Sequence, residues 1–191
     1  DMHSILEWIR QEGIIFKGGS GAGVNLSRLR GLGEAMSGGG TASGPLSFMK
    51  AADAGAGAIK SGGKTRRAAK MIVWDIDHPD IQEFIWCKVR EEEKARVLIA
   101  AGYSDGIDGE AYATVAFQNA NNSVRVPDEF MRRATGGTSV ETWATHWRTN
   151  PEHVADVFRA SDLLRQIAEA THACGDPGMQ FDDTMNIWHT V

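Results

Sequence analysis

Apolar residues recur at helical spacing from the start of the chain. Met2, Ile5, Trp8 and Ile9 share one face, and Asp1-Met2-His3-Ser4 reads as a helix entrance. Gly13 is placed to end that helix. Ile14-Ile15-Phe16 then reads as a short strand running into a glycine-rich loop. Pro45 sits where a first helical turn tolerates proline, with Ser43 as its cap, and the helix runs through Met49, Ala52 and Ala56 towards Ile59. Met71-Ile72-Val73-Trp74 is a continuous apolar run, the mark of a strand buried on both faces. Asp77-His78-Pro79-Asp80 starts another helix with Ile81, Phe84 and Ile85 on one side, and Glu91 to Lys94 continue it as a solvated face. Thr114 to Phe117 and Ser123 to Val126 read as further strands, and Pro127-Asp128-Glu129 opens a short helix. Residues 136–158 read as an irregular insertion. Ser161 then caps an amphipathic helix through Leu164, Ile167 and Thr171, and Asp176-Pro177-Gly178 turns into an extended piece at Met179 to Phe181. Strands alternating with helices predict an α/β protein with a mostly parallel sheet, in one domain spanning 1–191.

Composition narrows the class. The chain has 191 residues with a net charge of −5, enough for one buried core. No apolar run approaches a membrane span and no signal-peptide pattern opens the chain, so no membrane partner is expected. The chain starts without Met inside a helix entrance, which suggests a piece cut from something longer. The two cysteines, Cys87 and Cys174, are far apart and lack metal-ligand spacing, so a reducing, cytoplasmic setting is expected and no metal site is assigned. Net acidity argues against a nucleic-acid binder, although basic residues cluster at Lys60, Lys64, Arg66, Arg67 and Lys70.

Ten of the 22 glycines fall in three early clusters, Gly18–Gly23, Gly38–Gly44 and Gly62-Gly63. Flexible linkers share this composition, but each cluster borders a well-patterned segment, as a loop between ordered elements would. Gly63-Lys64-Thr65 has the letters of a phosphate-binding P-loop. That motif needs glycine five positions earlier, where Ala58 stands, and a strand before it rather than a helix. Both requirements fail. The Gly19–Gly23 loop likewise lacks the dinucleotide fingerprint. What survives is a glycine-containing loop with four cations in eight residues, suited to following a phosphorylated ligand, with a solvated basic turn as the bland alternative.

The strings "FKGGSGAGVNLSRLRG", "SGGGTASGPLSFMKAADAGAGAIKSGGKTRRAAKMIVWDIDHPDIQEFI", "QNANNSVRVPDEFM" and "CGDPGMQFDDTMNIWHT" together resemble the catalytic subunit of ribonucleotide reductase, nearest to its adenosylcobalamin-dependent class. The resemblance covers nearly the whole chain and is weakest at 136–158. It implies a ten-stranded α/β barrel, of which this chain supplies about the first half. In that family a cysteine thiyl radical, generated through adenosylcobalamin, removes the ribose 3′-hydrogen, and a cysteine pair supplies the reducing electrons. The resemblance makes Lys60, Ser61, Gly62, Gly63, Lys64, Thr65, Arg66 and Arg67 the specificity loop between a deoxynucleotide (dNTP) effector and the substrate base. Arg30 resembles the arginine on effector phosphate, Ser20 and Gly21 resemble the wall beside the substrate ribose, and Asp1 and Met2 would lie near the effector base. The implied partners are a ribonucleotide substrate, dNTP effectors, an external thiol reductant such as thioredoxin, and a second copy in a homodimer.

One departure limits the carry-over. The family's Asn-x-Cys-x-Glu radical motif is absent, so no catalytic residue is assigned in this chain. Cys87 and Cys174 read as small buried hydrophobes and His78 as a turn residue. An isolated chain of this kind is expected to be inactive and to leave a sheet edge unpaired. Two alternatives stay open on the residues: a standalone nucleotide-binding regulatory module, and an unrelated phosphate-binding α/β enzyme.

Overall fold

The computed structural model describes residues 1–59, 69–106, 109–137 and 140–190, so the Lys60–Arg67 segment lies outside the described residues. Helix α1 (Met2–Lys17) leads into β1 (Gly21–Asn25), and α2 (Pro45–Ala58) precedes β2 (Ala69–Asp75). Helices α3 (Ile81–Ala100) and α4 (Glu110–Thr114) lead to β3 (Ala120–Val126). After α5 (Asp128–Thr135) come β4 (Thr142–His146), β5 (Val154–Arg159), α6 (Ala160–Cys174), β6 (Gly178–Phe181) and α7 (Asp182–Trp188). The main sheet has the order β1-β2-β3-β6 and every pairing is parallel. Each strand therefore lies beside the one before it, with helices carrying the return path, as parallel pairing requires. Among the described residues the sheet has two edges, β1 and β6, and does not close into a barrel.

The core forms along the apolar run, but the strand is not buried on both faces as expected, since Met71 is 38% exposed. Ile72, Val73 and Trp74 of β2 are buried, and Trp74 stacks on Phe84 of α3 with ring centroids 4.5 Å apart. Val124 and Val126 of β3 continue this layer, and Leu163, Ile167 and Ala170 of α6 close it. Burying each such side chain contributes roughly 1.5–3 kcal/mol.

Several expectations are corrected. Gly13 does not end α1; the helix runs on through Ile14, Ile15 and Phe16 to Lys17, so no strand forms there. Glycine serves packing at this point, because a Cβ on Gly13 would come within 3.1 Å of the Ile59 side chain. The turn comes later, at Gly18 and Gly19, where Gly19 adopts a φ of 85°. Thr114–Phe117 is not a strand either. Thr114 ends α4, its hydroxyl donating back to the Ala111 carbonyl at 2.9 Å, and Phe117 has a φ of 62°, incompatible with extended backbone. Its alternating buried residues, Val115 and Phe117, imitate strand periodicity in a loop.

Glu91 is buried rather than solvated, because its carboxylate accepts the Ala116 N–H at 2.9 Å and pairs with Lys94. Ser43 does not cap α2, whose N-cap is Gly44, and Ser161 lies inside α6. The stretch 136–158, expected to be irregular, carries the antiparallel pair β4–β5. Trp143 of β4 anchors that hairpin edge-on against Phe130, with centroids 5.2 Å apart.

Loops are held by buried carboxylates. Asp53 of α2 accepts the N–H groups of Gln118 and Asn119 at 3.1 and 2.9 Å. Replacing Asp53 with Ala would leave both amides without partners, at about 1–3 kcal/mol each. Chemical denaturation of Asp53→Ala should therefore show a loss of about 3 kcal/mol, and a loss below about 1 kcal/mol would contradict this anchoring.

Candidate functional site

The first glycine cluster builds an exposed backbone edge. Gly18, Gly19 and Ser20 donate their N–H groups to carbonyls of the last turns of α1, those of Ile14, Phe16 and Ile15, and this fixes the entry to β1. Gly21 lies in register with Ala69, the first residue of β2. A Cβ on Gly21 would sit 3.1 Å from the Ala69 carbonyl oxygen, so the close approach of the two backbones depends on glycine. Ser20 and Gly21 are both exposed there.

Beneath this edge lies a buried ion pair that sequence reasoning missed. Lys70 of β2 donates to the Glu12 carboxylate of α1, and their side chains are 0 % and 5 % exposed. The Lys70 ammonium also lies 4.8 Å from the centre of the Trp8 ring. The available signal was an acidic residue on the apolar stripe of α1, since Glu12 falls four residues after Trp8 and four before Phe16.

The loop after β1 is held at nearly every residue. Asn25 donates to Asp75 at 2.9 Å, Ser27 N–H donates to the Asn25 side chain, and the Ser27 hydroxyl accepts the Asp75 N–H. His78 bridges the Leu29 carbonyl, 2.9 Å from Nε2, and the Asp80 N–H, 3.0 Å from Nδ1. Those contacts call for the tautomer with its proton on Nε2. Gly31 donates to Glu34 and Leu32 donates to Asp80. Gly31 is required, because a Cβ there would come within 2.5 Å of the Pro79 ring. Arg30 stands exposed between these anchors, its backbone set on both sides.

Buried titratable groups here serve the loop. Burial alone would raise the Glu34 carboxyl, but hydrogen bonds from Thr149, Gly31 and Arg148 outweigh it and hold the group below its usual range. Burial is the largest influence on Asp80 and pushes it up. At the other end of α1, Asp1 accepts the Ser4 N–H at 2.8 Å and the Ser4 hydroxyl as an N-cap, and Met2 is exposed. Burial pushes the Cys87 thiol up to about 12 and raises that of Cys174 as well, which disfavours the thiolate at neutral pH.

The sequence-predicted residues among those described thus fall in three places. Ser20 and Gly21 lie at the N-terminal edge of β1, beside the start of β2. Arg30 lies beyond the other end of β1, about 16 Å along a five-residue strand. Asp1 and Met2 are a full helix length from Ser20, about 24 Å for the sixteen residues of α1. The remaining group, Lys60 to Arg67, lies outside the described residues.

The anchoring role of His78 has a pH signature. Burial depresses its pKa from 6.5 to about 4, so the folded state resists protonation that the unfolded chain accepts. Its contribution is complete above pH 6.5 and is lost as pH falls towards 4, a change on the order of 3 kcal/mol. Unfolding free energies measured from pH 7.5 to 4.5 should fall across this window. The slope should flatten in His78→Gln; an unaltered slope would rule His78 out as its source.

A family model described as "Ribonucleotide reductase, barrel domain" matches residues 1–191. The vitamin B12-dependent ribonucleotide reductase of Streptomyces clavuligerus is 56% identical over 189 residues, covering 99% of this chain and 19% of that protein. The enzyme of the same name from Rhodopirellula baltica is 50% identical over 191 residues, 100% of this chain and 18% of that protein. The vitamin B12-dependent ribonucleoside-diphosphate reductase of Mycobacterium tuberculosis is 35% identical over 188 residues, 97% of this chain and 23% of that protein. The chain therefore spans about a fifth of the length of such relatives, as the 19% for the first shows. With the match running from its first residue to its last, the chain belongs to the ribonucleotide reductase family as part of the barrel domain.

Proposed function

We propose that this chain is a segment of a ribonucleoside-phosphate reductase, carrying the effector side of the barrel and part of the substrate wall. The family match over residues 1–191 carries the reading. The parent reaction replaces the ribose 2′-hydroxyl with hydrogen. Two electrons come from a thiol pair that becomes a disulfide, and the hydroxyl leaves as water. No catalytic residue is placed in this chain, in keeping with the raised pKa values of Cys87 and Cys174. An unrelated phosphate-binding enzyme is no longer in contention.

The fold supports this reading. Four parallel strands in sequential order, with helices between them, are compatible with the opening of a singly wound barrel, in which further strands would add at the open edges β1 and β6. In this reading the chain is about the first half of a ten-stranded barrel. Ser20 and Gly21 present bare backbone to the substrate ribose. Arg30 offers a guanidinium from a rigid loop to effector phosphate, and Asp1 and Met2 flank the effector base. The segment Lys60–Arg67 remains our candidate for the specificity loop on its sequence. The whole protein works in the cytoplasm with an external thiol reductant such as thioredoxin. Met2 and Leu6, exposed on α1, lie on a face available to a second copy.

The relatives' names carry vitamin B12, so adenosylcobalamin is the cofactor proposed for the whole protein. It would supply the radical that initiates the reaction. Two cavities among the described residues do not fit it. The cavity at the C-terminal strand ends, about 320 Å³, is lined by Asp75, Asp77, Arg125 and Asp182 together with Ile76, Pro127 and Trp143, and is too small to enclose a corrin. The groove of about 800 Å³ along α3, between Arg90 and Val115, is open to one side and contains no histidine. No step is routed through the cofactor in this chain, and the rest of the protein would hold it.

Titrating the intact protein with each of the four dNTPs tests the effector reading, which predicts that at least one binds. Arg30→Ala removes a charge-assisted contact and should weaken that binding about tenfold or more. Unchanged affinity would remove Arg30 from the site, and no binding by any dNTP would remove the effector reading itself. The coding sequence beyond Val191 gives a separate check, since the reading expects an Asn-x-Cys-x-Glu motif there.

A further inference from the structure

The effector and substrate ends of the proposed site are a helix length apart, and α1 spans that distance. Two contacts lock α1 to the layer beside it. The Glu12 carboxylate meets the ammonium of Lys70, both side chains being nearly inaccessible. Immediately next to it, Gly13 lets Ile59 of the α2 C-terminus pack against the helix backbone. Lys70 pairs in register with Ala22, one position along from the Gly21–Ala69 pair at the substrate edge. The ion pair thus fastens the body of α1 directly behind Ser20 and Gly21.

Stability alone is a weak account of such a pair. Removing two charges from water costs about as much as their attraction returns, and an apolar pair of similar volume is often neutral or better. What the pair adds is register. Two leucine-like side chains can slide past one another at small cost, whereas a one-residue slip of α1 would separate a buried carboxylate from its only described cation. The Trp8 ring against the Lys70 ammonium adds a second directional contact from the same helix. A rigid helix can carry coupling over this distance when its packing has discrete arrangements that each ligand biases, and directional contacts make such arrangements discrete.

We propose that Glu12 and Lys70 are positioning residues that couple effector occupancy at the Asp1–Met2 end of α1 to the Ser20–Gly21 edge. The pair would set how strongly a bound deoxynucleotide changes the choice between ribonucleotide substrates. This rests on the reductase reading above. It makes a demand that a purely structural pair does not: the pair should govern the size of the effector response and not only the amount of folded protein.

The test uses the full-length protein and the double variant Glu12→Leu/Lys70→Met, which keeps apolar volume and leaves no buried charge unpaired. Two ribonucleotides compete for reduction, with and without a saturating dNTP, and the ratio of their kcat/KM values is read. Couplings of about 5- to 150-fold are typical of allosteric pairs. The variant should fold with an unfolding midpoint at or above that of the unmodified protein, while its effector-induced change in the ratio falls towards onefold. By reciprocity, saturating substrate should also cease to change the effector's Kd in the variant. A folded double variant with the full response overturns the inference and leaves the reductase reading standing. Should the double variant not fold, Glu12→Gln/Lys70→Met removes both charges and the contact while keeping both shapes, and a full response there overturns the inference equally. If the unmodified protein reduces no ribonucleotide, or its preference ignores every dNTP, the inference falls together with the reading beneath it.

Discussion

Complete burial of the β2 face that carries Ile72 and Trp74 is the constraint on which the rest of the structure depends. Lys70, Ile72 and Trp74 shut water out of one face completely, so a layer must cover that side, while on the other face Val73 is buried and Met71 is 38% exposed. The strand's two edges must also be paired, which β1 and β3 do in parallel. Parallel neighbours cannot be joined by tight turns, so the chain makes long returns through α2 and α3. Helix α3 covers Trp74 with Phe84, and β3 extends the sheet to β6 under α6. Most of the architecture follows from satisfying one apolar run.

Where irregular backbone meets this core, buried carboxylates supply the missing hydrogen-bond partners. Glu34 gathers amides from Gly31, Arg148 and Thr149; Asp53 takes those of Gln118 and Asn119; Glu91 takes that of Ala116. A buried amide without a partner costs more than a hydrogen bond gains, so these acids matter for the shape of the loops. His78 does the same work with a neutral ring. The result is a pair of preset ends on α1 and β1, one backbone-only and one bearing Arg30, held apart by the length of the elements.

Much of this was legible in the chain. The apolar run at 71–74, the proline opening α2, the helix after Asp80 and the final turn at Asp176-Pro177-Gly178 all lie where the pattern put them. The expectations for Gly13 and Thr114–Phe117 erred because local signals have two meanings. Glycine ends helices, but it also admits a neighbour's side chain, as Ile59 shows. Alternating burial marks strands, but a loop pressed on a core alternates too, and only the φ of Phe117 tells them apart. Glu91 looked solvated within a charged run, because its partner amide is distant in sequence.

The sequence by itself carried the parallel α/β class in its periodicity and the resemblance to the family in its motif strings, and the candidate residues at 1–2, 20–21, 30 and 60–67 are what that resemblance implies. Only the tertiary structure decided which polar groups are buried and with whom. Glu12 and Lys70 are 58 positions apart, and nothing local in either segment names the other. They meet because β2 is set beside β1 by the sheet while α1 is folded back against it. A long-range pairing of this kind depends on the packing of whole elements rather than on any pattern within one.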